Sequence, residues 1–244
     1  MWEYPSQHYE GFGGTLQGDP NYAGATPSWV IWQVLDRYTK PGDRVLDPMC
    51  GSGTTLDVCA DMGRLGRGFD LAPSRSDVEP GDARSLPLDD ACCDLVFVDP
   101  PYSTHMTYSD HPDCIGRLDA GGPDAGRAYY ASMATVLDEI ARVLRPGGVA
   151  ALYVSDSWRK AGGESGRARG EFLPIGFELF LLMRARFEPL DIISVVRRNA
   201  KLSKQNWHDA AAEQNSFLRG FNYLFLARKR ERPARRSGKV RAER

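Results

Sequence analysis

The chain has 244 residues, with 31 Lys and Arg residues against 32 Asp and Glu residues and a formal net charge of −1. Its 42% hydrophobic and 26% charged residues are typical of a globular protein and exclude a collagen-like or intrinsically disordered chain. The length suits one α/β domain of roughly 200–230 residues with a core of its own. No apolar run approaches the ~18 residues of a membrane span, and we expect no secretory signal.

Cysteine content and charge distribution restrict the environment. The five cysteines are odd in number and form no CxxC pair, so we expect neither a disulfide framework nor a metal site, and we expect a cytoplasmic location. The last 17 residues, 228–244, hold nine basic and two acidic residues, a net charge of +7, and the other 227 residues carry −8. Such a tail is compatible with a polyanionic partner and equally with a solvated terminus.

The predicted elements alternate between strands and helices after an irregular start. Residues 1–25 are rich in glycine and aromatic residues and predict an irregular arm or lid. Thr26 and Pro27 predict the N-cap and first position of a helix that ends before Pro41-Gly42. Strands are then predicted at 44–47, 67–71, 78–82, 94–99, 149–154, 190–197 and 222–228, and helices at 53–62, 125–144 and 173–186.

This alternation predicts a mostly parallel sheet that is covered by helices on both faces. Three stretches, 103–124, 157–170 and 199–220, show no such pattern, and each follows the carboxyl end of a predicted strand. In an open α/β sheet that edge is where ligands bind.

A glycine-rich turn follows the first of these strands in the segment 45–54, VLDPMCGSGT. Glycines at positions 51 and 53 allow backbone N–H groups to approach a ligand at the start of a helix. The turn is not a dinucleotide fingerprint, because Leu56 stands where the third glycine would be. It is not a phosphate loop, because no Gly-Lys-Ser/Thr follows. Taken alone, it is also compatible with a tight turn that binds nothing.

Acidic residues end the next two predicted strands. Asp70 follows Gly68-Phe69, where a carboxylate can accept hydrogen bonds from both hydroxyls of a ribose. Asp82, within Gly81-Asp82-Ala83, adds a carboxylate to the same edge. Together they predict a site for a nucleoside that lacks a pyrophosphate.

A second turn, Asp99-Pro100-Pro101-Tyr102, ends the fourth strand. Its prolines stop the strand pairing and restrict φ, so the turn is stiff and projects Asp99 and Tyr102 at the carboxyl edge. The alternative is a plain proline turn with Tyr102 packed into the core.

In this order the motifs resemble the S-adenosylmethionine-dependent amino-methyltransferases of DNA, which methylate the exocyclic amine of adenine or cytosine. The resemblance covers roughly residues 22–228, and the glycine turn and the DPPY turn carry most of it. Similar DPPY or NPPY turns occur in RNA guanine and protein glutamine methyltransferases, so the reaction is better determined than the substrate.

The resemblance implies a Rossmann-like α/β methyltransferase fold, with a seven-stranded, mostly parallel sheet, an antiparallel last strand and helices on both faces. We therefore expect an irregular arm over 1–25, a methyltransferase domain over 26–228 and a basic, disordered tail over 229–244. It also implies S-adenosyl-L-methionine as cofactor. By position, the methionine part would be lined by Asp47, Cys50, Gly51 and Gly53, the ribose held by Asp70, the adenine by Asp82, and the opposite side closed by Thr26 and Pro27.

The predicted catalytic residues are Asp99, Pro100 and Tyr102. An exocyclic amine is a poor nucleophile because its lone pair is delocalised into the ring. Hydrogen bonds from its N–H groups to the Asp99 carboxylate and the Pro100 carbonyl would localise that lone pair, so placement and electrostatics supply the acceleration. The base must leave the duplex to reach the pocket, and Tyr102 is expected to stack on it.

Basic loops beside the predicted pocket suggest contacts to nucleic acid phosphates, and solvated surface loops are the alternative. DNA is the expected partner, RNA is the alternative, and no membrane contact is expected. The residues concerned are Arg159, Lys160, Arg167, Arg169, Arg198, Lys201 and Trp207.

Target recognition is the main departure from the DNA family, because no gap between the motifs reaches the ~50 residues of an ordinary domain. Recognition would then use short loops, the tail, a partner chain or a second copy. Adenine is favoured over cytosine because DPPY is the more usual adenine form. The alternatives are an RNA base amino-methyltransferase and a non-catalytic cofactor-binding subunit, and the intact Asp99 and Tyr102 argue against the latter.

Overall fold

The computed structural model describes residues 2–4, 17–19, 22, 24–102, 108–122, 124–159, 171–197, 205–213, 217 and 219–231. Its helices are α1 (Ser28–Tyr38), α2 (Thr54–Asp61), α3 (Arg127–Val143), α4 (Ile175–Arg186) and α5 (Gln205–Glu213). Its strands are β1 (Trp2–Tyr4), β2 (Arg44–Asp47), β3 (Leu65–Asp70), β4 (Glu79–Pro80), β5 (Cys93–Val98), β6 (Leu144–Val154), β7 (Ser157–Arg159), β8 (Glu171–Leu173), β9 (Glu188–Arg197) and β10 (Phe221–Arg228).

The main sheet has the strand order β4-β3-β2-β5-β6-β10-β9-β1. Neighbours from β4 to β6 are parallel, and β10 lies between β6 and β9 and is antiparallel to both. The predicted fold class, with its antiparallel last strand, is therefore confirmed. An eighth strand, β1, pairs in parallel with β9 at the sheet edge, so three residues of the predicted irregular arm are in fact extended.

Both faces of the sheet are buried, as expected for parallel strands with crossover helices. In β5, Leu95 and Phe97 pack with α1 and α2 on one face, whereas Val96 and Val98 pack with α3 and α4 on the other. This alternation fixes the register of β5 and hence the position of Asp99 at its end.

The start of α1 differs from the prediction. The helix begins at Ser28, and its N-cap residue is Pro27, in an extended conformation with φ −65° and ψ 120° and no side-chain capping bond. The predicted N-cap role of Thr26 is therefore wrong, because the extended proline places Thr26 one residue further from the helix. Its side chain is used elsewhere, as described below.

All three stretches without a predicted pattern contain some regular structure, and the one at 103–124 includes a short 3₁₀ helix over Ile115–Arg117. β7 and β8 pair with each other in a separate two-stranded sheet, and α5 occupies residues 205–213. Strands of three residues are too short for an alternation of polar and apolar residues to be recognised. The sequence of α5, QNWHDAAAE, is short and mostly polar, with Trp207 as its one large apolar residue, so it gave only a weak helical signal.

The carboxyl ends of β2, β3, β4 and β5 meet at one edge of the sheet, because these strands are parallel neighbours. That edge brings together Asp47, Asp70, Asp82 and Asp99. Among the described residues, no helix combines the length and the apolar character that a membrane crossing requires.

Candidate active site

The glycine turn links β2 to α2 and depends on backbone conformations that favour glycine. Gly51 has φ +49° and Gly53 has φ +78°, both in the left-handed region. A Cβ on Gly53 would lie 2.6 Å from the guanidinium of Arg75, and one on Gly51 would lie 3.0 Å from the hydroxyl of Tyr22. Both positions therefore need glycine, for conformation and for space.

Asp47 ends β2 beneath this turn and is 5% exposed. Its carboxylate accepts hydrogen bonds from the Thr55 hydroxyl at 2.5 Å and from the Met49 N–H at 3.0 Å. Burial raises the pKa of Asp47 to about 7, although both hydrogen bonds lower it, and the nearby charge of Asp70 raises it further. A buried carboxylate of this kind is suited to a cationic ligand group, which would favour its ionised form.

Asp70, predicted to bind a ribose, also stabilises the glycine turn through hydrogen bonds. Its Oδ2 accepts the N–H of Gly51 at 3.0 Å, and its Oδ1 accepts the N–H of Ala72 at 2.9 Å. Each carboxylate oxygen can accept more than one hydrogen bond, so these contacts are compatible with hydroxyl donors from a ligand.

Arg75 also stabilises the glycine turn, a role that the sequence did not reveal. Its guanidinium donates to both carboxylate oxygens of Asp57 at 2.8 Å, to the Ser52 carbonyl at 3.2 Å and to Asp77 at 2.7 and 2.9 Å. Arg75 thereby ties the segment after β3 to the turn before α2. No motif signals this role, because it depends on the fold of the loop 71–78.

Asp82 lies at the same edge, paired with a residue that the sequence analysis did not select. The Arg84 guanidinium donates to Oδ2 of Asp82 at 2.6 and 3.0 Å and to the carbonyl of Asp113 at 3.0 Å. Burial alone would raise the pKa of Asp82, but the hydrogen bonds from Arg84 outweigh it and lower the pKa. Asp82 is thus an oriented and ionised acceptor.

The turn after β5 places Asp99 against the segment before α1. The hydroxyl of Thr26 donates to Oδ2 of Asp99 at 2.8 Å, across 73 residues of sequence. Pro100 is buried, and Tyr102 is half-buried and packs against the core on the α3 side of the sheet. The stacking of Tyr102 on a base remains a prediction.

These residues surround one cavity of about 850 Å³ that is open to solvent. The predicted residues on its wall are Thr26, Asp47, Cys50, Gly51, Asp70, Asp82 and Asp99. Pro27, Gly53, Pro100 and Tyr102 are not on that wall, whereas Pro101, Tyr22, Tyr108, Cys114 and Ile115 are.

Two tyrosines that no motif identified lie close to the acidic groups of the cavity. Burial, followed by the charges of Asp70 and Asp99 among others, raises the pKa of Tyr22 to about 12. Burial likewise raises the pKa of Tyr108, and Asp99 is among the charges that add to this effect. Both phenols are therefore neutral at physiological pH and can act as hydrogen-bond donors.

Cys50 lies on the cavity wall as a neutral thiol. Burial, and then the charges of Asp47 and Asp70, raises the pKa of Cys50 far above its usual range. A thiol in this state is a poor nucleophile. The described part of the chain contains no group of three or more His, Cys, Asp or Glu side chains that could hold a metal ion.

The predicted nucleic-acid contacts fall mostly on parts of the chain that are not described. Lys160, Arg167, Arg169, Arg198 and Lys201 lie outside the described residues. Arg159 lies in β7 and Trp207 in α5, and their side chains are likewise not described. These contacts stay predictions.

An aromatic cluster near the start of β10 was also missed. The guanidinium of Arg219 lies 3.9 Å from the centre of the Phe172 ring, and the Trp158 ring centre is 6.4 Å from that of Phe172. Phe172 is half-buried. The cluster joins the β7–β8 hairpin to β10 through aromatic and cation–π contacts.

Comparison with known proteins relates this geometry to a family. A family model described as DNA methylase matches residues 1–78, which include α1, the glycine turn and Asp70. The match covers 78 of the 244 residues. The resemblance to DNA methylases is thus confirmed over this segment. No curated protein matches the chain significantly.

Solved structures share the fold at low sequence identity. An S-adenosylmethionine-dependent methyltransferase from Methanosarcina mazei matches with a TM-score of 0.51 and 14% identity, over 82% of this chain and 98% of that one. TrmN from Thermus thermophilus matches with a TM-score of 0.51 and 18% identity, over 85% of this chain and 50% of that one. The cyclase SpnF matches with a TM-score of 0.50 and 20% identity, over 88% and 87%.

These neighbours confirm the predicted fold, which is that of the S-adenosylmethionine-dependent methyltransferases. Because SpnF has the same fold and is described as a cyclase, function has to be argued from the residues of the site.

Proposed function

We propose that this chain is an S-adenosylmethionine-dependent methyltransferase that acts on the exocyclic amine of a DNA base, with adenine as the preferred base. The observation that carries the proposal is the arrangement of four carboxylates, Asp47, Asp70, Asp82 and Asp99, around one cavity beside a glycine turn. The match of residues 1–78 to a DNA methylase family supports the choice of DNA.

The first three carboxylates suit the parts of S-adenosylmethionine. The buried Asp47 would hold the ammonium of the methionine moiety, Asp70 the ribose hydroxyls, and Asp82 the adenine. The space beside Gly51, which a Cβ would fill against Tyr22, supports a close approach of ligand to backbone. When bound, the cofactor supplies an electrophilic methyl group on a sulfonium centre.

Asp99 and Pro100 would activate the amine. A carboxylate oxygen of Asp99 would accept one N–H and the Pro100 carbonyl the other, so that the nitrogen lone pair is localised and directed. Because the nitrogen gains a carbon substituent, it must lose a proton, and Asp99 would receive it. Preorganisation of these acceptors, without any covalent intermediate on the protein, would provide the rate enhancement.

Binding of the cofactor is tested by calorimetric titration of S-adenosylhomocysteine. We expect Asp70→Ala to weaken binding at least about 10-fold. The variant would lose both the charge-assisted hydrogen bond to the ligand and the hydrogen bond from the Gly51 N–H. The matched control is Asp89→Ala, at an exposed carboxylate that is not on the cavity wall, which should leave affinity unchanged. Equal affinity of all three proteins would refute this assignment of the cavity.

The substrate is tested with tritiated S-adenosylmethionine and matched duplex DNA, single-stranded DNA and total RNA, followed by digestion to nucleosides. We expect the label on 6-methyladenine from DNA. Label on 4-methylcytosine would correct the base, label in RNA alone would overturn DNA as substrate, and cofactor binding without transfer would favour a non-catalytic subunit.

A further inference from the structure

A hydrogen bond in the cavity joins two residues for which the sequence suggested separate roles. Thr26 was expected to close over the cofactor, yet its hydroxyl donates to Oδ2 of Asp99 at 2.8 Å. Both residues lie on the cavity wall. The contact therefore connects the segment before α1 directly to the predicted catalytic carboxylate.

The backbone around Thr26 holds its side chain in place. Pro27 is buried with a φ of −65° restricted by its ring, and α1 follows with Val30 and Ile31 fully buried against the sheet. On the other side, the Ala25 N–H donates to the carbonyl of Tyr22 in a turn. Thr26 is thus fixed by packing on one side and by a turn on the other.

The orientation of the Asp99 carboxylate depends on such a hydrogen-bond donor. Rotation about the last torsion of an aspartate has broad, shallow minima, so packing of the Cβ alone does not fix the plane of the two oxygens. An amine lone pair is directional, and an acceptor displaced by about 1 Å can cost on the order of 100-fold in rate. A donor on Oδ2 restricts the plane in which the carboxylate presents its lone pairs.

We infer that Thr26 is a positioning residue for methyl transfer: its hydroxyl orients the Asp99 carboxylate toward the target amine and makes little contribution to cofactor affinity. The inference rests on the proposed function, and it assigns to Thr26 a role different from the cofactor contact that the family resemblance implied. Thr26 acts through Asp99 and touches neither the methyl group nor the amine.

The test compares Thr26→Val, which keeps the shape of the side chain and removes the hydroxyl, with Thr26→Ser, which keeps the hydroxyl. The control is Thr135→Val, where the exposed hydroxyl donates to the carbonyl of Ala131 within α3. Single-turnover methyl transfer and the dissociation constant of S-adenosylhomocysteine are measured for each variant, after near-UV circular dichroism has shown that it is folded.

We expect Thr26→Val to slow transfer about 10- to 100-fold, the effect of losing one hydrogen bond to a charged group. The dissociation constant should change less than 2-fold, Thr26→Ser should recover most of the rate, and Thr135→Val should match the wild type. A parallel loss of cofactor affinity would overturn the inference in favour of a cofactor contact. An unchanged rate in Thr26→Val would also overturn it.

A second measurement separates this inference from the proposed function. Urea unfolding midpoints are compared for Thr26→Val, Asp99→Ala and the double variant. If the wild type transfers no methyl group to any nucleic acid, the proposed function fails, but shifts that do not add would still support the coupling of the two side chains. Additive shifts would overturn the inference whatever the activity.

Discussion

The affinity of the cavity for S-adenosylhomocysteine should depend steeply on pH because of Asp47. In the free protein, burial raises the pKa of Asp47 to about 7. A ligand ammonium requires the ionised carboxylate, so protons compete with the ligand below that pH. The hydrogen bonds from Thr55 and the Met49 N–H remain in both states and do not remove this competition.

The size of the effect follows from the ionised fraction of Asp47. With a pKa of about 7, Asp47 is ionised in about 1% of the protein molecules at pH 5 and in half of them at pH 7. The dissociation constant should therefore fall about 50-fold between these two pH values. Between pH 7 and 8 the remaining gain is about 2-fold and coincides with the titration of the ligand α-amino group, whose usual pKa is about 7.7–8.0. The informative window is therefore pH 5 to 7.

The assay is isothermal titration calorimetry of S-adenosylhomocysteine at half-unit intervals of pH, on the wild type and on Asp47→Asn. The amide keeps an acceptor for Thr55 but cannot titrate, so the variant should bind weakly and nearly independently of pH. Proton uptake or release, measured in two buffers of different ionisation enthalpy, should show a proton leaving the wild-type protein on binding below pH 7 and none leaving the variant.

A flat wild-type profile between pH 5 and 7 would show that Asp47 does not gain its charge on binding. A steep profile that persists in Asp47→Asn would assign the pH dependence to another group. Either result would remove Asp47 from the methionine part of the site.

Three further predictions concern Asp47, Gly68 and Arg84. The raised pKa of Asp47 lets the folded state bind more protons than the unfolded state between about pH 4 and pH 7. The free energy of unfolding of the ligand-free protein should therefore fall by up to about 4 kcal/mol as the pH rises through that window. Urea unfolding of Asp47→Asn should show no such fall. Gly68→Ala should destabilise the protein by about 1–3 kcal/mol in urea, since its Cβ would clash with the sulfur of Cys50 and would lie 2.9 Å from the Cys50 Cβ; a loss that Cys50→Ala does not reduce at all would contradict this cause. Arg84→Gln should weaken S-adenosylhomocysteine binding about 3- to 10-fold in calorimetry, as Asp82 loses its orienting partner, and unchanged affinity would exclude that role.

The sequence predicts much of the fold because its signals are local. Buried apolar strands such as residues 94–99, helices with an apolar stripe and proline or glycine stops each depend on neighbouring residues, and the structure agrees with them to within a few residues. β1 and the β7–β8 hairpin were missed because strands of three residues depend on a partner far along the chain.

The same distinction applies to the residues of the candidate site. Asp47, Asp70, Asp82 and Asp99 could be predicted because each ends a strand of one parallel sheet, and that geometry alone brings them to a common edge. The residues that form contacts beside them could not be predicted. Tyr22, Arg75 and Arg84 reach the site through loops, where contacts follow from backbone geometry and leave no periodic signal in the sequence.

Thr26 shows the limit of local motifs. A threonine followed by proline before an apolar helix is a reasonable N-cap signal, but the helix starts one residue later than predicted, at Ser28. The hydroxyl instead meets a carboxylate 73 residues away, because tertiary contact offers it a charged acceptor. Local pattern therefore located the residue correctly and assigned it the wrong partner.

The activation of the target amine by Asp99 is tested most directly by single-turnover transfer of tritiated methyl groups to DNA with Asp99→Ala beside Asp89→Ala. We predict that Asp99→Ala slows transfer at least about 100-fold while S-adenosylhomocysteine binds within about 3-fold of the wild type, and that Asp89→Ala transfers at the wild-type rate. Transfer by Asp99→Ala at a rate close to that of Asp89→Ala would show that Asp99 does not activate the amine.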